Sequence, residues 1–243
     1  MMNTLEKLRV KIFADGADWD SIMEIYREPY IAGFTTNPTL MRKAGVAEYE
    51  AFCKKLLALV PDRPISFEVL ADDFDEMEAQ AWQLASWGRN VNVKIPIANT
   101  RGQSACPLIA RLSSQNITVN VTAVMTLRQV REAVDALAPG TPGIISVFAG
   151  RIADTGIDPV PVMSEALTIM RDRPRSELLW ASPRELLNII QANKIGCHII
   201  TVTGDLLRKL SILGKDLEVY SLETVDMFYR DAMAASYIIR TTD

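Results

Sequence analysis

A single lysine, Lys94, stands inside the run VNVKIP at Val91–Pro96. Period-two alternation puts Asn92 and Lys94 on one face and Val91, Val93 and Ile95 on the other, with Pro96 ending the strand. A charge in such a run is costly unless it is paired, neutralised or used. It reads either as a structural ion pair or snorkelling side chain, or as a reactive amine. Polar residues in other apolar runs bear on that choice. Asp15 follows the first run, Thr36 and Asn37 the second, and Arg151 the sixth, while Ser182 ends the seventh. Ser66, Glu68 and Leu70 share a face of the third; Asn120, Thr122 and Val124 do so on the fifth, and Ser146 and Phe148 on the sixth. A lysine made neutral by an apolar wall is a nucleophile, and carboxylates beside it move protons. Amides orient hydroxyls without adding charge, and two arginines, Arg151 and Arg184, offer fixed donors for phosphate oxygens. Asp15 and Glu68 are expected to be held by other polar contacts and kept out of a tight ion pair with the resting amine. The plain alternatives are a turn at Thr35, Asn37 and Pro38, solvated charges at Arg151 and Arg184, ordinary core at Phe148 and Trp180, and capping by Glu68. Taken as a set facing one cavity, the residues favour an enzyme.

Eight short apolar segments must position these groups: 9–14, 33–36, 65–70, 90–95, 117–124, 143–149, 177–181 and 197–202. Helical patterns follow them at 20–28, 46–59, 74–87, 102–112, 126–137, 160–171, 184–192 and 206–213, with a last one at 222–239. Asp72 or Asp73, Thr126 and the pair Asp158 and Pro159 are start signals for three of them. The alternation predicts parallel βα units, closed as a (β/α)8 TIM barrel or open as a doubly wound sheet. A barrel gathers the carboxyl ends of all its strands around one mouth. The last helix either closes the fold or covers a neighbouring subunit.

The 243 residues suit one barrel domain spanning 1–243. A net charge of -4, without a lysine or arginine run, argues against a nucleic-acid partner. Three scattered cysteines, Cys53, Cys106 and Cys197, point to a reducing compartment without a disulfide framework. With His198 the single histidine, a zinc site is not expected, and that residue reads as part of a buried strand in CHIITV. The N-terminus carries no secretory pattern and no apolar run nears the ~20 residues of a membrane span. A cytoplasmic protein without a membrane partner is expected.

FTTNPTL at 34–40, coupled to VKIP at 93–96, is specific. With FADGAD at 13–18, FEV at 67–69, NVT at 120–122, SVFAGR at 146–151 and ASPR at 181–184, the chain resembles the transaldolase family, which includes the fructose-6-phosphate aldolases. The resemblance implies a TIM barrel, sugar-phosphate substrates and no metal or organic cofactor, in the pentose phosphate pathway of the cytoplasm. It makes Lys94 the Schiff-base lysine and Asp15 the group that exchanges the sugar hydroxyl proton. Glu68 assists imine formation through a water that Thr122 holds. Thr35, Asn37, Asn120, Ser146 and Phe148 line the substrate site, and Arg151, Ser182 and Arg184 bind the phosphate. Glu68 and Phe148 match the branch that transfers a dihydroxyacetone unit; the aldolase branch has glutamine and tyrosine there. Pro183 and Arg101 depart from the family pattern and bear on phosphate-loop geometry and acceptor choice. The other readings are an aldolase releasing free dihydroxyacetone and a non-catalytic sugar-phosphate binding protein. A homo-oligomer is expected.

Overall fold

The computed structural model describes residue 5 and residues 7–240. Eight strands, β1 (Lys11–Asp15), β2 (Ile31–Thr35), β3 (Ile65–Glu68), β4 (Val91–Pro96), β5 (Val119–Val124), β6 (Gly143–Val147), β7 (Ser176–Trp180) and β8 (Ile199–Thr203), pair in chain order and close β8 onto β1. Every pairing is parallel. The protein is a (β/α)8 TIM barrel, as its alternation of segments predicts, and not the open sheet.

The helices are α1 (Trp19–Tyr26), α2 (Pro38–Lys43), α3 (Tyr49–Leu59), α4 (Phe74–Ser86), α5 (Cys106–Ser114), α6 (Leu127–Ala136), α7 (Ala149–Asp154), α8 (Pro159–Ile169), α9 (Leu187–Ile195), α10 (Gly204–Arg208) and α11 (Leu217–Ala234). Their starts follow local chemistry. Asp73 accepts from the N–H groups of Asp75 and Glu76, Thr126 and Gln129 form a reciprocal capping box, and Asp158 accepts from Val160 ahead of Pro159. The short helices α2 and α7 have too few turns for a periodic signal. α5 begins four residues later than its pattern, because Asn99 accepts from the N–H groups of Arg101 and Gln103 and holds that stretch as a loop. α11 begins five residues earlier than expected, at the Asp216 cap.

Alternation along the strands splits the core. One face packs Val93, Ile95, Val119, Val121, Ile145 and Ile200 against the helices. The opposite face fills the barrel floor with Phe13, Ile144, Leu179 and Ile199. Phe13 lies over Gly33, where a Cβ would come within 2.6 Å of the ring, so only glycine fits there. Above this floor the inward positions turn polar. His198, expected within a buried strand, falls just before β8 and is half-buried, and its Nδ1 accepts from the Leu178 N–H at 2.9 Å. Among the described residues no helix is long and apolar enough to cross a membrane, and no group of three or more His, Cys, Asp or Glu is placed to hold a metal.

Candidate active site

Strand register assembles the polar mouth. Glu68 lies opposite Lys94, which lies opposite Asn120; Asp15 lies opposite Thr35, and Pro96 opposite Thr122. Adjacent strands run about 4.8 Å apart, so laterally paired side chains on one face meet.

Lys94 is 6% exposed. Its Nζ donates to the Thr36 carbonyl at 2.8 Å and stands 3.0 Å from Glu68 Oε2. The expected separation of Glu68 from the resting amine is therefore wrong: the two form a close, largely buried ion pair. Alternation along each strand predicts a shared face, but the lateral match of Glu68 with Lys94 is a property of the closed sheet. An isolated ion this deep would cost several kcal/mol, which a paired carboxylate and a carbonyl offset.

Asp15 is half-buried and forms no ion pair with Lys94. Thr35 Oγ1 donates to its Oδ1 at 2.8 Å, and that hydroxyl also contacts the Thr201 hydroxyl. Burial pushes the Asp15 carboxyl above the ordinary carboxylate range, against the opposing pull of Lys94 and of the Thr35 hydrogen bond. Asn120 is fully buried. Its Oδ1 accepts from Ser146 at 2.6 Å and its Nδ2 donates to Ser66 Oγ at 3.2 Å, which leaves one N–H for another acceptor. Thr122 is buried at the end of β5, next to an irregularity in which Ala123 takes a φ of 59°. Such a bulge re-aims the side chains beside it. Asn37 spends its Oδ1 capping α2, at 3.0 Å from the Leu40 N–H, with Thr35 closing β2 and Pro38 opening the helix in place of a simple turn, and the amide nitrogen is left as a donor.

The arginine pair lies apart from the lysine, on α7 and the loop after β7. Arg151 is exposed, with its guanidinium 5.6 Å from the centre of the half-buried Phe148 ring. Arg184 donates through Nη1 to Ser182 Oγ at 3.0 Å, and through Nε and Nη2 to the Asp154 carboxylate. Those bonds hold the Asp154 carboxyl below its usual range. Ser182 takes a left-handed φ of 61° ahead of Pro183, and α7 reaches the loop only because Gly150 has no side chain: a Cβ there would fall 1.5 Å from the Ser182 carbonyl oxygen. Arg101 sits in the loop after β4 and pairs with Asp72 at 3.6 Å.

Lys94, Glu68, Asp15, Thr35, Asn120, Ser146 and Thr122 thus gather at the mouth, and Arg151, Ser182 and Arg184 form a second group with Phe148 at its edge. Sequence reasoning missed Thr201, Asp154, Gly150 and Tyr49. Asp154 stands three residues after Arg151, the one helical spacing that hinted at it; nothing marked Thr201 beyond alternation in β8.

Fold and site together define a (β/α)8-barrel protein with a lysine–carboxylate cluster at the carboxyl ends of its strands. In backbone shape it is similar to 3-keto-L-gulonate-6-phosphate decarboxylase from Vibrio cholerae (TM-score 0.56, 13% identity, 81% of this chain and 88% of that one). It is equally close to KGPDC from Streptococcus mutans (TM-score 0.56, 11% identity, with the same coverage), and both likenesses show the fold alone. The chain belongs to the transaldolase/fructose-6-phosphate aldolase family, whose pattern it matches over residues 12–238. It is 32% identical over 202 residues to a "Probable transaldolase" of Dehalococcoides mccartyi, covering 83% of this chain and 90% of that protein. It is 34% identical, over 83% and 89%, to another of that name from Thermoanaerobacter sp..

The raised Asp15 carboxyl makes a stability prediction. A group whose pKa is higher folded than unfolded adds stability below its unfolded value, and that contribution is lost as pH rises through the folded value. Asp15→Asn, which keeps an acceptor for Thr35, should therefore raise the melting temperature near about pH 8 and lose that advantage near about pH 4, the ordinary carboxylate value. A pH-independent difference in thermal melts would contradict it.

Proposed function

We propose that the chain is a transaldolase, working as one barrel domain over residues 1–243, which transfers a dihydroxyacetone unit between sugar phosphates through a Schiff base on Lys94. The observation that carries this reading is the buried Lys94 amine in contact with Glu68, with Asp15 at the end of β1 in the same barrel mouth. Family membership supports it.

Lys94 attacks C2 of fructose 6-phosphate or sedoheptulose 7-phosphate. The direct contact with Glu68 gives the ammonium a proton acceptor, after which the same carboxyl, through a water beside Thr122, helps the carbinolamine lose hydroxide as water. Asp15 takes the C4 hydroxyl proton as the C3–C4 bond breaks, and the electron pair of that bond moves into the protonated imine to leave an enamine. An aldose phosphate departs. The enamine then attacks an acceptor aldehyde, which takes the proton back from Asp15, and hydrolysis frees Lys94. Thr35 steadies Asp15, while Asn37, Asn120 and Ser146 orient the sugar hydroxyls. Arg151, Arg184 and Ser182 receive the phosphate, which must share Arg184 with Asp154. Phe148 lines the pocket and, with no hydroxyl, offers the enamine no proton. Side chains and water complete this cycle, and the setting is cytoplasmic carbohydrate metabolism.

The protein in this reading is a homo-oligomer. α11 buries none of its residues, and Leu222, Val225, Phe228, Tyr229 and Met233 stand exposed along it. A largely apolar groove between α1 and α10, lined by Leu8, Ile25, Tyr30, Leu207 and Leu210, is the matching surface for the α11 of a second copy. The full chain should run as an oligomer in light scattering and Phe228→Glu should shift it toward monomer; a monomeric parent would contradict this.

Incubation with fructose 6-phosphate, with and without erythrose 4-phosphate, tests the reaction. Transfer predicts sedoheptulose 7-phosphate and turnover that depends on the acceptor. Free dihydroxyacetone formed equally fast without acceptor would identify an aldolase instead.

A further inference from the structure

Hydrogen bonding around the end of β3 is unusual. Along the β2–β3 ladder the Phe34 N–H donates to Pro64 and the Thr36 N–H donates to Ser66, and the next bond of a parallel ladder would run from the Glu68 N–H to the Thr36 carbonyl. It is not made. The Thr36 carbonyl accepts instead from Lys94 Nζ at 2.8 Å. The Glu68 N–H, deprived of its ladder acceptor, donates to the hydroxyl of Tyr49 at 3.1 Å, and that same hydroxyl donates to the Glu68 carbonyl at 2.7 Å. One phenol from the first turn of α3 thus satisfies both main-chain groups of the residue whose carboxylate meets the lysine.

We propose that Tyr49 is a positioning residue of the active site: by standing in for the missing ladder bond it fixes Glu68 and leaves the Thr36 carbonyl free to hold the Lys94 amine. Backbone groups at this depth must find partners, and with the Thr36 carbonyl turned to the lysine the Glu68 N–H needs another acceptor. A hydroxyl does so because it gives and accepts at once, and no aliphatic side chain at 49 could. Burial pushes the Tyr49 phenol far above its ordinary range, so it keeps the proton it donates to the Glu68 carbonyl. The ring rests partly buried against the core, which carries the hydroxyl on a fixed arm. Tyr49 touches no reacting atom in this scheme and acts through Glu68, so the inference rests on the proposed role of that carboxylate.

Tyr49→Phe keeps the ring and removes the hydroxyl. With Glu68 loosened and its N–H drawn to the Thr36 carbonyl, kcat for fructose 6-phosphate with erythrose 4-phosphate should fall about tenfold or more while KM changes less than about twofold, since the phosphate contacts are elsewhere. In a Glu68→Gln background the same substitution should cost little further, because its effect passes through the carboxylate already removed. A parent-like kcat in Tyr49→Phe, or full additivity with Glu68→Gln, would overturn the inference; absence of turnover by the parent would strike the functional reading instead. Should the Phe variant fail to fold, 4-aminophenylalanine at position 49, which keeps the ring with a nitrogen that can give and accept, is expected to retain a kcat near that of the parent. Loss of activity in that variant with its fold intact would also overturn it.

Discussion

A cation held in a wall of aliphatic side chains is the constraint on which the barrel mouth depends. Lys94 stands on a strand with buried valine, isoleucine and asparagine and a closing, half-buried proline, and at 6% exposure it has almost no water to solvate it. Its charge is met by one carboxylate and one main-chain carbonyl. Each of those partners creates a further demand. Glu68 has to be aimed, and its N–H, with the Thr36 carbonyl turned to the lysine, has to find another acceptor. The Tyr49 hydroxyl answers both through the Glu68 backbone. Removing any one member of this set leaves a buried polar group without its partner, an outcome that costs more than the net worth of the bond it made.

Two carboxylates near one lysine are driven apart by environment. Glu68 is in direct contact with the amine, whereas Asp15 is tied to Thr35 and raised by burial. Carboxyl groups placed in such different surroundings suit separate tasks, which the proposed mechanism assigns as one beside the imine nitrogen and the other at the sugar hydroxyl. The arginine group obeys a different rule. Arg184 is exposed and its guanidinium is held by the Asp154 carboxylate, while Gly150 lets α7 come close to the loop bearing Ser182, whose hydroxyl accepts from the same guanidinium.

Alternation made the barrel legible. The eight apolar segments and their spacing correspond to the eight strands. Ser66 and Glu68 on β3, Asn120 and Thr122 on β5 and Ser146 on β6 share the inward face that period two assigns them, whereas the irregularity at Ala123 sets Val124 opposite Val147 on the helix-facing side, against the expectation that it shares the face of Asn120 and Thr122. Boundaries were less legible where backbone bonds go to side chains. β3 stops at Glu68, short of Leu70, because Tyr49 takes the Glu68 main chain and Gln80 accepts from the N–H groups of Leu70 and Ala71. Contacts at the mouth were legible as a set of residue types and illegible as pairs. The Glu68–Lys94 ion pair, the Thr35–Thr201 contact and the Asp154–Arg184 fork each depend on lateral register or on how a helix settles over a loop. Neither is written in the periodicity of one segment.

Imine formation between the Lys94 amine and a ketose is the step on which the proposed reaction stands. Borohydride reduction of the protein with fructose 6-phosphate, followed by peptide mapping, reads it out. A stable sugar-derived adduct is expected on the peptide that carries Lys94, and none in a Lys94→Ala variant. An adduct on another lysine, or none on a parent that turns over substrate, would contradict it.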